Sequence, residues 1–323
     1  MALGTFDNTP AGWEQVRTAM RRLVADAEGS ADAEGSADAV AVVLEPTGGY
    51  ELACAVWAHQ QPGWQVHRPN PAHVRQWAKS QGVRSKTDAQ DALVLARYGA
   101  KTELPIWQPL ASEVSALEQL LHRRDDVEAL RHQEQRRLEH LALHPDAPPA
   151  VRASLERILQ TLDEERAGLD AAIAAHLAQH CELHAVEQRL LSVPGVGARN
   201  VHPLLVTLAR YHTLTCGQGD AKGLVAYVGL DPQVHQSGVS VWRPALISRQ
   251  GNRQLRARLY MGALGALRGD NAVHAFYQRL VNRGKAKKLA LVAAARKLVV
   301  WAWAVFTSGH AFDPTKCAPT AAS

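Results

Sequence analysis

The 323-residue chain is 46% hydrophobic and 21% charged, with a formal net charge of +5 and a pI near 9.1. That length exceeds a single small module and admits two domains joined by a helical connector. Four cysteines, Cys54, Cys181, Cys216 and Cys317, lie far apart with no Cys-x-x-Cys pair, which argues against a zinc ribbon and a secreted disulfide scaffold and makes a reducing cytoplasm the simplest compartment. No basic-then-apolar signal opens the chain. Charge is unevenly distributed: residues 1–189 carry 19 Lys/Arg against 27 Asp/Glu, and residues 190–323 carry 17 against 4, giving −8 and +13. A surplus of that size marks a polyanion-binding surface, because each phosphate neutralised by a basic contact releases counterions.

In chain order, Trp13 to Val24 reads as a short amphipathic helix. The tandem Ala25-Asp26-Ala27-Glu28-Gly29-Ser30 and Ala31-Asp32-Ala33-Glu34-Gly35-Ser36 follows, small, acidic and Gly/Ser-bearing, and reads as a flexible loop without chemistry. Val40–Leu44 and Trp64–His67 read as strands flanking a helix around Glu51–His59, an α/β layer, and Asp91 to Tyr98 supplies the next helix.

Three carboxylates punctuate this layer. Glu45 ends the apolar run Ala39 to Leu44 and is followed by Pro46-Thr47-Gly48-Gly49, so a charge stands where a strand end meets a cleft. Asp88 and Asp91 stand at i and i+3, on one face of a helix. Converging carboxylates repel unless a cation bridges them, and an oxygen-only ligand set favours Mg²⁺ or Mn²⁺. The same spacing also suits Asp88 as a helix N-cap, Asp91 as an ordinary first-turn acid and Glu45 as a solvated strand end.

From Ser112 to His184 the pattern is charged helix, broken at His144–Pro149. In its second arm Leu155, Ile158, Leu162 and Leu169 occupy a and d positions, which suits either a dimerising antiparallel pair or a hairpin packed on its own domain. His176, His180 and His184 recur every four residues beside Cys181; no further ligand completes a tetrahedron, and surface histidines are the commoner reading.

The basic half opens with Leu190-Leu191-Ser192-Val193-Pro194-Gly195-Val196-Gly197-Ala198-Arg199, which has the form of a helix-hairpin-helix. Gly195 and Gly197 permit the tight turn and expose backbone N–H groups that can hold a phosphate, with Arg199 beside them; a plain turn between core helices is the alternative. Further on, Ser237-Gly238 is followed by Arg243, Arg249, Arg253, Arg256 and Arg258. A hydroxyl before glycine with guanidiniums nearby suits a nucleophile toward a phosphodiester, although alone Ser237 reads as a turn residue. Leu289 to Phe306 is long and apolar, but Arg296 and Lys297 interrupt it, so it reads as a packed C-terminal helix rather than a membrane span.

Asp7-Asn8-Thr9 through Gly12, Leu44-Glu45-Pro46-Thr47-Gly48-Gly49-Tyr50, Asn70-Pro71, Lys86-Thr87-Asp88-Ala89-Gln90-Asp91-Ala92, Val193-Pro194-Gly195-Val196-Gly197, Ala226-Tyr227-Val228-Gly229-Leu230-Asp231-Pro232, Ser237-Gly238, Ile247-Ser248-Arg249-Gln250-Gly251-Asn252 and Phe312-Asp313 occur in that order. Together they resemble the IS-one-ten family of bacterial insertion-sequence transposases, the DEDD or bridge-RNA-guided recombinases, over nearly the whole chain. The resemblance implies a RuvC-like domain of RNase H topology, a coiled-coil connector and a helical C-terminal transposase domain with a serine nucleophile. Carried over by motif, Glu45, Asp88 and Asp91 would match the second, third and fourth acids of a Mg²⁺-binding tetrad, and Ser237 the serine that becomes linked to DNA. It further implies double-stranded DNA and a structured noncoding guide RNA as partners, and a homo-oligomer, dimer or tetramer, whose subunits share composite sites.

The expected organisation is therefore an α/β RuvC-like domain at 1–108, a helical connector at 109–188 and a basic, mostly helical DNA-binding domain at 189–323. The family's first acid lies on a strand before the point this chain reaches, and neither Asp7 nor Asp38 is placed to replace it. The expectation is a chain lacking its first strands, through a misplaced start or decay of the copy, that binds DNA and recombines poorly. A non-catalytic nucleic-acid-binding protein and a metal-dependent junction nuclease are the competing functions.

Overall fold

A computed structural model describes residues 4–28, 40–83, 87–144, 146–237 and 241–317. The chain divides into two compact units, Met1–Pro109 and Leu110–Ser323. Helix dominates both, and the described strands form two two-stranded sheets.

In the first unit β1 (Val40–Val43) pairs in parallel with β2 (Trp64–His67), Val40 opposite Trp64 and Val43 opposite His67. Parallel neighbours need a crossover, and α2 (Leu52–His59) supplies it, burying Ala55 and Ala58 with Val66 among Trp57, Trp64 and Trp107. Before the sheet, α1 (Pro10–Glu28) docks through Trp13 on Trp57, ring centroids 5.9 Å apart. This helix runs into the first copy of the acidic duplication, where sequence had suggested a loop; residues 29–39 lie outside the described residues. After the sheet comes α3 (Pro71–Ser80), with Asn70 accepting from the Ala72 N–H at 2.9 Å and Pro71 in the first turn, where its missing N–H costs nothing. Then α4 (Asp88–Lys101) packs Val94 and Tyr98 on Val74 and Trp77. Gly99 lets α4 lie against β1: a Cβ there would sit 2.6 Å from Val43 Cγ2.

In the second unit α5 (Ser112–Leu141) and α6 (Pro149–Gln179) form an antiparallel hairpin whose register is visible in the pairs Arg131–Asp163 at 2.7 Å and Arg124–Asp170 at 3.6 Å. Its buried residues on α6 are Leu159, Ile173 and Leu177, whereas Ile158, an expected seam position, is 43% exposed. The other expected seam residues, Leu155, Leu162 and Leu169, are half-buried.

Helices α7 (Cys181–Leu191), α8 (Val201–Leu214) and α9 (Ala221–Val228) follow. An antiparallel hairpin, β3 (Pro232–Ser237) with β4 (Val241–Ile247), interrupts the helices, a feature absent from the sequence reading. Three helices close the unit, α10 (Arg253–Ala266), α11 (Ala272–Asn282) and α12 (Lys287–Ser308). The last has the length and composition of a membrane span, but it is the core element: ten of its residues, from Ala290 to Val305, are buried against the surrounding helices.

Candidate functional site

Glu45 lies two residues beyond β1 and is half-buried; Asp88 and Asp91 occupy the first turn of α4, the former exposed and the latter half-buried. Thr87, not Asp88, is the N-cap, its Oγ1 accepting from the Gln90 N–H at 3.2 Å, so capping does not account for Asp88. Lys86 lies outside the described residues. Among the described residues no three or more His, Cys, Asp or Glu side chains gather to hold a metal ion. The helix–strand contact at Gly99 lies eight residues past Asp91, about 12 Å along the axis. Three carboxylates suit Mg²⁺ by donor type, but the described side chains are not gathered into a cage.

The turn after Glu45 is held by residues that sequence reasoning passed over. Glu51, 8% exposed, accepts through Oε2 from the Thr47 N–H (3.0 Å), the Thr47 hydroxyl (3.3 Å) and the Gly49 N–H (3.1 Å), and pairs through Oε1 with Arg68. Burial pushes its carboxyl up, but backbone N–H donors and the Arg68 charge outweigh that and hold it below the ordinary value. Arg68 lies over the Trp107 ring at 5.4 Å. Asn8 secures the turn's far end, donating to the Tyr50 carbonyl at 2.8 Å and accepting from the Trp13 indole at 2.9 Å. An acid two residues after Gly48-Gly49, at the start of a helix, was the only sequence signal of this role.

In the second unit Ser237 is the last residue of β3, with its backbone opposite Val241; Arg243 stands on β4 opposite His235. Gly238 and Ser240 lie outside the described residues. The foot of the hairpin is knitted to α9 and α10 by close backbone approach. Gly229 ends α9 at φ +77°, and a Cβ there would meet the Gln250 carbonyl at 1.9 Å; at Gly251 it would meet the Tyr227 carbonyl at 2.2 Å. Ser248 N–H donates to the Asp231 carbonyl at 2.9 Å and its hydroxyl to the Asp231 carboxylate.

Beside this foot is a cleft of about 520 Å³ lined by Arg249, Arg253, Arg256 and Tyr260, with Leu230 and Val292 among its apolar walls. Arg256 donates to the carbonyls of Val228 (3.0 Å) and Gln250 (2.6 Å). Its burial, reinforced by the Arg249 and Arg253 charges, pulls its guanidinium pKa down. Arg258 points elsewhere, pairing with Asp125 of α5 at 2.5 Å. Of these expected nucleic-acid contacts, two are therefore engaged within the fold.

The Gly195 turn joins α7 to α8 and packs on α10. Gly195 adopts φ +89°, and a Cβ on Gly262 would lie 2.3 Å from its carbonyl. Buried Asn200 accepts from the Gly197 N–H at 2.7 Å and donates to the Gly195 carbonyl at 2.9 Å. The Gly197 amide that sequence assigned to phosphate is thus already satisfied, and Arg199 remains on the exposed edge. Nearby, Glu187 accepts from His202 at 2.6 Å and His184 at 2.9 Å. His176 contacts the Glu113 carbonyl at 2.7 Å and lies against His180, the two rings tilted with centroids 4.5 Å apart, so these histidines serve packing within the helices.

Comparison with known proteins gives two family matches. Residues 8–144 match the DEDD transposase model of the IS110 family, and residues 187–278 match the transposase model of the IS116/IS110/IS902 family. Pilin gene-inverting proteins of Moraxella lacunata and Moraxella bovis are each 32% identical over 273 residues, covering 84% of this chain and 81% of theirs. An insertion element IS110 protein of Streptomyces coelicolor is 32% identical over 160 residues, 50% of this chain and 37% of its own. With an acid-bearing α/β unit at one end and a basic helical unit at the other, the chain belongs to the IS110 (IS-one-ten) family of insertion-sequence transposases.

Proposed function

We propose that this protein exchanges DNA strands at the ends of an insertion sequence, with Ser237 as nucleophile. The single observation that carries this reading is the placement of Ser237 at the tip of a hairpin rooted beside an arginine-lined cleft, within a chain whose relatives are named for inverting a pilin gene. The Ser237 oxygen would bond to phosphorus while the bond to one sugar oxygen breaks and that oxygen takes a proton. A hydroxyl of the exchanging strand would then displace serine, so the phosphodiester count is unchanged and no energy source is required.

Glu45, Asp88 and Asp91 are proposed as the Mg²⁺ ligands, Mn²⁺ substituting. Their support is the DEDD match over residues 8–144 and the oxygen-only donor set. A structured noncoding RNA as guide and a homo-oligomer as the working form belong to the same proposal, and the surplus of 17 Lys/Arg over 4 Asp/Glu in residues 190–323 supports a polyanion partner. A suicide DNA substrate should trap a covalent protein–DNA adduct that disappears in Ser237→Ala and requires Mg²⁺. Adduct undiminished in that variant would remove Ser237 from the chemistry. Free 5′-phosphate ends without adduct would instead indicate water-dependent hydrolysis, and DNA binding with neither product a non-catalytic binder.

A further inference from the structure

We infer that the arginine cleft at the foot of the β3–β4 hairpin receives one unstacked deoxynucleotide of the bound DNA, its phosphate on Arg249 and Arg253 and its base against Tyr260. The inference rests on the proposal that this unit handles DNA, and it assigns a ligand to a cavity that strand exchange by itself does not require.

The cavity is chemically two-sided. Arg253, Arg256 and Tyr260 fall on one face of α10 at i, i+3 and i+7, and Arg249 faces them across the cleft. No acid lines it, and Arg249 and Arg253 form no ion pair among the described residues. Arg256 is held on two backbone carbonyls and so positions the Arg249 loop rather than meeting a ligand. The remaining lining is apolar or aromatic. A site for free phosphate alone would have no use for a hydrophobic interior, and a purely apolar ligand none for two unpaired guanidiniums. One nucleotide supplies both chemistries, and about 520 Å³ falls within the usual range for small-ligand sites. A duplex is too wide to enter, so the base must leave its stack, as it does where proteins read or act on single nucleotides.

The backbone supplies an independent observation. Arg249 has φ +58°, a left-handed conformation that long side chains rarely adopt. Its N–H donates to the Gly229 carbonyl at 3.2 Å, and the flanking Gly229 and Gly251 contacts leave the loop no room to relax. Glycine would suit that conformation better. An arginine kept in a strained position at a cleft indicates that its side chain is needed there.

That strain makes a clean test. In Arg249→Gly the backbone is favoured while the guanidinium is lost, so the melting temperature of the full chain should stay level or rise. Binding of dTMP, followed by calorimetry or by chemical-shift changes, should fall at least tenfold. Tyr260→Ala should cause a similar loss, and thymidine or inorganic phosphate alone should bind at least tenfold more weakly than dTMP. DNA carrying 2-aminopurine should brighten on binding the wild-type protein and not the Arg249→Gly variant. The inference is overturned if dTMP does not bind, if inorganic phosphate binds as well as dTMP and ignores Tyr260→Ala, or if UMP binds tenfold better than dTMP. It is also overturned if DNA binds tightly with 2-aminopurine dark at every position tested, an outcome that leaves the transposase proposal standing. Absence of DNA binding together with intact dTMP binding would count against the transposase proposal instead.

Discussion

Replacing Glu51 by alanine should loosen the turn that follows Glu45 more than any other single side-chain deletion in the first unit. The carboxylate is 8% exposed, accepts three hydrogen bonds from Thr47 and Gly49, and neutralises Arg68, whose side chain is itself only 14% exposed. Removing one partner of such a buried pair costs about 3–5 kcal/mol, because the other charge is left without compensation. For a unit of this size that is a large share of the usual total of about 5–15 kcal/mol. Hydrogen exchange of the full chain in a urea series separates the two units, and peptides spanning residues 40–68 should lose protection at lower urea while those from α12 stay unchanged. Adding Arg68→Met to Glu51→Ala should recover part of the loss, since the stranded charge is then gone. The pH dependence follows from the lowered Glu51 pKa: the stabilisation is fully present above the ordinary value of 4.5 and is lost as pH falls through the lower, folded-state value. A wild-type-like urea midpoint for residues 40–68 in Glu51→Ala, or a loss below about 1 kcal/mol, would refute the reasoning.

Asn200→Ala should destabilise the second unit by about 2–4 kcal/mol, since two hydrogen bonds vanish and the Gly195 carbonyl and Gly197 N–H lose their partner; thermal melting reads this directly, and an unchanged midpoint would count against it. Gly262→Ala should cost about 1–3 kcal/mol by forcing a methyl to within 2.3 Å of the Gly195 carbonyl, whereas Gly265→Ala, with nothing within 4 Å, should be neutral or stabilising. Neutralising Arg249 and Arg253 together should flatten the log–log salt dependence of DNA binding by about 0.9, the one phosphate contact that the two share. Arg258→Gln should lower the melting point through loss of the Asp125 pair and leave that salt slope unchanged, and a slope change equal to that of the Arg249/Arg253 variant would contradict the assignment. Glu45→Gln and Asp88→Asn should each reduce Mg²⁺-dependent adduct formation at least tenfold without lowering DNA affinity; metal response identical to wild type would exclude them as ligands.

Local pattern decided much of this protein without any structure. The apolar run Ala39–Leu44 and the alternating Trp64–His67 mark two strands, the second with its side chains alternating between faces. The Asp88/Asp91 spacing places both acids on one helical face, and the charge division at residue 190 is a property of composition alone. What escaped were contacts between residues distant in sequence, whose energies depend on which surfaces the fold brings together. Glu51 and Arg68, 17 positions apart, look like ordinary surface charges until β2 sets Arg68 beside the turn. Arg256 and Arg258 belong to one basic run, yet one is fixed on the Val228 and Gln250 carbonyls and the other on Asp125, which leaves Arg249 and Arg253 facing the cleft. Likewise, of the α6 heptad Leu155, Leu162 and Leu169 are half-buried, but Ile158 is exposed while its neighbour Leu159 is buried, because the partner helix chooses which face turns inward. A short-range signal reports which face a side chain occupies and which charge it carries; only tertiary packing determines whether that charge is neutralised within the fold or presented to a phosphate.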